Sequence, residues 1–135
     1  PGVEWYQNNL IIWSGSMKEP VQVDKYCYDV DILPTISNLL GLEYDSRLMV
    51  GQDVLSDSEQ LVCFPNRSFI SGKCIYNAVN GSVTPLTDEE VTQEYLDQMS
   101  AVVYDKFSVS EMVLHENYYQ YLDGHISFKS DEKSN

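Results

Sequence analysis

Basic residues are scarce in this chain of 135 residues: eight Lys and Arg stand against 21 Asp and Glu, a formal net charge of −13. A field of that sign repels phosphate backbones and anionic headgroups, which excludes a nucleic-acid role. Histidine is scarcer still, with only His115 and His125. Cysteine occurs three times, at Cys27, Cys63 and Cys74, with no C-x-x-C pair. An odd count without paired spacing indicates neither a disulfide framework nor a zinc site, and buried free thiols are the expected state. Long apolar runs are missing too. Nothing approaches the roughly 20 consecutive apolar residues of a membrane-spanning helix, and no signal-peptide pattern opens the chain, so the piece reads as soluble.

What is present suits a packed domain. The chain is 43% hydrophobic and 12% aromatic, with ten tyrosines, and its length is that of one ordinary domain. From Asp88 to the end, eleven acids and three bases leave a net charge of −8 on a region of helical spacing, read here as a solvated helix face.

Leu10-Ile11-Ile12-Trp13, ended by Ser14-Gly15-Ser16, reads as a strand buried on both faces. Residues 1–9 form a leader or linker remnant, and the start at Pro1 suggests a piece of a longer protein. Asp29 or Asp31 caps a short helix with Pro34 in its first turn. Ile32, Ile36, Leu39 and Leu40 make its apolar stripe, expected to pack on a sheet, and Gly41 stops it. Leu61–Phe64, Ser68–Ile70 and Cys74–Val79 are short apolar runs divided by turn residues, which predicts a small antiparallel meander with a two-residue hairpin turn at Asn80-Gly81. Thr87 and Glu90 form a capping box for a helix reaching about Asp105. A second helix is expected over Ser110–Glu116, and Tyr118–Leu122 tucks back onto the body. Residues 123–135 read as a frayed tail.

The order of strand, loop, Val30-Asp31-Ile32-Leu33-Pro34-Thr35-Ile36-Ser37-Asn38-Leu39-Leu40-Gly41 and then Gly51-Gln52-Asp53-Val54-Leu55 resembles the C-terminal part of the sulfatase-like domain of the alkaline phosphatase superfamily. Asn66-Arg67-Ser68-Phe69-Ile70-Ser71-Gly72-Lys73 and the later Gln98-Met99-Ser100 narrow the resemblance to lipoteichoic acid synthases and related phosphoglycerol transferases. It covers residues 10–122 and implies an α/β fold: a fragment of an α/β/α domain with a buried strand, a packed helix, a small antiparallel sheet and a C-terminal helix pair. It also implies a parent enzyme with a divalent metal, commonly Mn²⁺, and a threonine nucleophile acting on a glycerophospholipid or polymer substrate. In the family, those residues lie upstream of the segment equivalent to Leu10–Trp13. No catalytic, cofactor-binding or metal residue is therefore assigned to this chain, Thr35 included, and the chain alone is expected to be inactive. The parent is expected to be membrane-anchored with this domain outside the cell. The expected partner is the upstream part of the same domain, with self-association of the isolated piece as a further expectation.

Several local patterns invite other chemistry. Cys63-Phe64-Pro65-Asn66-Arg67 fits C-x-P-x-R, the core of the signature that sulfatases convert to formylglycine, but its continuation differs, and a strand running into a turn accounts for it better. His115 with Glu116, His125 with Asp123, and the group Asp24, Asp29 and Asp31 could suggest metal or acid-base sites; exposure and helix capping explain them. Asn66-Arg67-Ser68 and Asn80-Gly81-Ser82 fit the glycosylation sequon and read as turns. The alternatives to a transferase fragment are the C-terminal part of a sulfatase or phosphodiesterase, or an independent acidic binding module.

Overall fold

The structure, a computed structural model, describes residues 9–123. His125, the leader before residue 9 and the tail from 124 on lie outside them. Four antiparallel strands, β1 Leu61–Cys63, β2 Phe69–Ser71, β3 Cys74–Asn77 and β4 Ser82–Pro85, form one meander in the order β1-β2-β3-β4. Ahead of it comes the short helix α1, Ile32–Leu39, entered through a 3-10 turn at Asp29–Asp31. After it come α2, Gln93–His115, and α3, Tyr118–Asp123. The α/β class and the meander match the sequence reading.

Short runs of apolar residues become strands here because each has a partner on at least one side. The register Leu61↔Ser71, Val62↔Ile70, Cys63↔Phe69 is set by the tight turn at Pro65-Asn66-Arg67. There the Arg67 N–H donates to the Phe64 carbonyl at 2.9 Å, and Arg67 adopts φ +67°. Alternate strand residues turn to opposite faces. Leu61, Cys63, Phe69 and Cys74 therefore meet Leu96, Met99 and Val103 of α2 in one core, with Phe69 and Val103 wholly buried. The spacing of 96, 99 and 103 is that of one helix face.

Four details differ from expectation. The first is Leu10–Trp13, which has no regular secondary structure, with Ile11 86% and Trp13 84% exposed. A strand exists only through a ladder with a neighbour, and no described strand lies beside this segment. Second, β3 ends at Asn77, so residues 78–81 make a four-residue loop, closed by the Gly81 N–H on the Asn77 carbonyl at 2.8 Å with Gly81 at φ +71°.

Third, α2 starts at Thr92, whose hydroxyl accepts the Tyr95 N–H at 3.2 Å, while Thr87 accepts only the Glu89 N–H in a local turn. Thr92 wins because Val91 before it and Leu96 four residues into the helix both rest on the core, a hydrophobic staple that Thr87 lacks. The helix then runs unbroken to His115, since no Gly or Pro interrupts residues 93–115. The helix pair is thus α2 and α3, divided at Asn117 with φ +52°.

The fourth difference concerns α1. Its buried residues are Pro34, Thr35 and Ser37, next to Asp31. The expected inward stripe faces outward instead: Leu33 is 62%, Leu39 51% and Leu40 68% exposed. Gly41, at φ +65°, ends the helix as expected, with the Leu42 N–H on the Ser37 carbonyl and the Gly41 N–H on the Asn38 carbonyl, a Schellman stop.

Candidate functional site

The two segments that carried the family resemblance, Val30–Gly41 and Gly51–Leu55, are joined side by side. Asp31, Thr35 and Asn38 recur at four- and three-residue spacing, which stacks them on one face of α1. The Asp31 carboxylate is 3% exposed and ties two backbone amides, accepting from Tyr28 N at 3.0 Å and from Gln52 N at 2.8 Å. The Thr35 hydroxyl donates to the Asp31 carbonyl at 2.6 Å and accepts from Val54 N at 3.1 Å. Asn38 donates to the Asp53 carboxylate at 2.8 Å.

Such bonds bring the backbone of residues 51–54 against the start of the helix so closely that only glycine fits. A Cβ on Gly51 would stand 2.0 Å from the Val30 carbonyl oxygen and 2.4 Å from its carbon. The invitation to read Asp31 as a helix cap was therefore mistaken in kind: it makes no side-chain cap bond to α1 and fastens the flanking loops instead. Burial raises the Asp31 carboxyl above its ordinary value, opposed by the two amides and by the charge of Lys106. Lys106 reaches from α2 to donate to the Val50 carbonyl at 2.6 Å, bracing the same loop from the other side.

An open cleft of about 650 Å³ runs beside this junction, lined by Asn38, Tyr44, Gln52, Asp53, Ser58 and Lys106 among others. Most of its polar groups are already committed. The Gln52 amide donates to the Glu59 carbonyl at 2.7 Å, and Asp53 also accepts the Leu55 N–H at 2.9 Å. Thr35, 1% exposed and bonded as donor and acceptor at once, has no free lone pair aimed at solvent to serve as a nucleophile.

The remaining sequence candidates are dispersed. Cys63 is 6% exposed within β1, and burial pushes its thiol up, away from the reactive thiolate. Beside it the Tyr28 phenol is raised far above the usual tyrosine range, first by burial and then by the Cys63 sulfur. The rest of C-x-P-x-R is turn and packing: the Asn66 side chain accepts the Ser68 N–H at 3.0 Å, and the Arg67 guanidinium lies 4.2 Å from the Phe107 ring centre. All three cysteines are free. His115 pairs with Glu116 at 3.5 Å on an exposed helix end. Asp24 and Asp29 are exposed and apart from one another's chemistry, and both sequon asparagines sit in exposed turns. Among the described residues no group of three or more His, Cys, Asp or Glu could hold a metal ion, and no helix is long and apolar enough to cross a membrane.

Sequence reasoning missed the bonding of Thr35 and Asn38, the steric demand at Gly51 and the brace from Lys106. The first had a legible signal, since polar residues at four- and three-residue spacing after Asp31 mark a helix face with a polar neighbour. The others depend on contacts remote in sequence.

No family model matches the sequence, and no solved structure matches it. Lipoteichoic acid synthase 2 of Bacillus subtilis (strain 168) is 32% identical over 96 residues, covering 69% of this chain and 14% of that protein. Lipoteichoic acid synthase of Staphylococcus saprophyticus is 35% identical over 86 residues, covering 58% of this chain and 13% of that protein. The chain thus spans about a seventh of the length of the curated relatives it matches.

Proposed function

Because this chain is related in sequence to lipoteichoic acid synthases, we propose that it is the C-terminal structural part of a sulfatase-like phosphoglycerol transferase, and that the reacting groups lie elsewhere in that enzyme. The observation that carries the reading is the junction itself. The segments that resemble the family are held together by Asp31, Thr35, Asn38 and Gly51 through bonds that use up their chemistry in building the fold. They supply a rigid wall and no free nucleophile.

On this reading the parent enzyme holds a divalent metal, Mn²⁺ by family resemblance, on residues outside this chain. Such a metal lowers the pKa of the nucleophile and neutralises charge on the phosphoryl oxygens. The parent is membrane-anchored, with this domain outside the cell and a glycerophospholipid or its polymer product as substrate. The test is phosphoglycerol release from a glycerophospholipid analogue with Mn²⁺, comparing this chain with the polypeptide extended upstream. Release by the longer polypeptide alone supports the proposal. A hydrolase parent would instead release phosphate or sulfate from simple esters, and turnover by the isolated chain would overturn the assignment.

A further inference from the structure

Helix α1 is assembled inside out with respect to its own sequence. At about 100° per residue, Ile32, Leu33, Ile36, Leu39 and Leu40 fall within an arc of about 120°, the width of a core-facing stripe. Asp31, Pro34, Thr35, Ser37 and Asn38 occupy the rest. In this chain the polar side is docked: Thr35 and Asn38 are bonded to residues 53–54, and Pro34, Thr35 and Ser37 are buried. The apolar side looks away from the body, with Leu33 62%, Leu39 51% and Leu40 68% exposed, and Leu42 just past the Gly41 stop 56% exposed. Exposed apolar residues scattered singly need no explanation, but a continuous helical stripe with its polar side already satisfied does.

The geometry points to this stripe as an intramolecular docking face, covered by a further part of the same polypeptide. Two observations select that occupant. The related synthases are about seven times the length of the matched segment, so a protein of that kind has ample chain to supply a cover. The helix is also fixed on its polar side by two side-chain bonds and by the Gly51 contact, so it cannot roll to bury its leucines within this chain. A helix fastened on one side and apolar on the other sits between two layers, and the second layer is the one supplied from outside residues 9–123. The inference rests on the proposed function only in taking the cover to be the same polypeptide.

The experiment places a photoreactive amino acid at Leu40 of the full-length polypeptide that contains this segment, with Val79 on the β3–β4 loop, 76% exposed, as the comparison site. Cross-linked peptides are mapped by mass spectrometry. The expected result is cross-links from position 40 within one molecule to residues outside this chain, at least about tenfold above those from position 79, as befits a buried contact against a solvated one. Cross-links only between two copies, or none above the comparison site, would overturn the inference. Phosphoglycerol transfer is measured on the same preparations, which separates the two claims. Active protein without cross-links removes the docking face and leaves the transferase reading; cross-linked protein without activity does the reverse.

Discussion

Replacing Gly51 with alanine adds one methyl group, and the structure gives it nowhere to go. Its carbon would lie 2.0 Å from the Val30 carbonyl oxygen, 2.4 Å from the Val30 carbonyl carbon and 2.8 Å from Asp31 N. All three are backbone atoms at the entrance to α1, so no side chain can swing aside. Relief requires the loop and the helix to part by more than an ångström, and that movement stretches the Gln52 N–H bond to Asp31 and the Val54 N–H bond to Thr35. Overpacking alone costs about 1–3 kcal/mol. Each of the two bonds contributes a net of about 0.5–1.5 kcal/mol. The expected loss is then about 4 kcal/mol, a large share of the 5–15 kcal/mol of an ordinary domain.

Urea denaturation followed by far-ultraviolet circular dichroism measures it. With a slope of about 2 kcal/mol per molar urea, the midpoint of Gly51→Ala falls by about 2 M. Gly72→Ala is the control, because its Cβ would meet only the Gln60 and Glu59 side chains at 3.6 Å or more; that variant stays within about 0.5 kcal/mol of the parent. A Gly51→Ala protein as stable as the parent, or a Gly72→Ala protein equally damaged, would refute the claim that this contact locks the two segments.

Other outcomes follow from the same structure. Thr92→Ala removes the cap on α2 and costs about 1 kcal/mol in thermal denaturation, whereas Thr87→Ala leaves stability within about 0.5 kcal/mol; equal losses would restore the earlier helix start. Arg67 sits at φ +67°, so Arg67→Gly, which loses the contact with Phe107 but relieves the backbone, is more stable than Arg67→Ala by about 1 kcal/mol in urea, and the reverse order would deny the left-handed turn. Tyr95 is pushed up to about 12 by burial first and by its bond to the Glu59 carboxylate. A phenol raised in the folded state favours folding while it stays neutral, so its contribution is intact below pH 10 or so and is lost as pH rises toward 12. Alkaline absorbance titration of the parent minus Tyr95→Phe should show one phenol ionising near 12, and a difference centred near 10 would contradict it.

The meander was legible because Pro65-Asn66, Ser71-Gly72 and Asn80-Gly81 punctuate apolar runs too short for helices. The helix stop was legible at Gly41, whose positive φ needs no tertiary knowledge. The orientation of α1 was not, because amphipathicity says which side is apolar and leaves open which layer lies within the chain at hand. Leu10–Trp13 failed for a related reason: apolar content marks a segment that wants burial, but strand structure needs a neighbour. The start of α2 turned on whether Thr87 or Thr92 had a staple beneath it, a contact with the core that local spacing does not encode. At the site, the motif order identified the right segments, while their joining through Gly51 and Lys106 depended on contacts between residues 21 and 56 positions apart.

The central claim, that this chain builds a wall and performs no chemistry, is tested most directly by substituting its best chemical candidates within the full-length enzyme. Asp24→Asn, Asp29→Asn, Cys63→Ala and His115→Ala are assayed for phosphoglycerol transfer, each normalised to folded protein. The expected result is kcat within about twofold of the parent for all four, since removing an interaction made only in the transition state is what lowers kcat. A fall of about 10²-fold or more at any one of them, with the protein still folded, would place catalytic chemistry inside this chain and contradict the account.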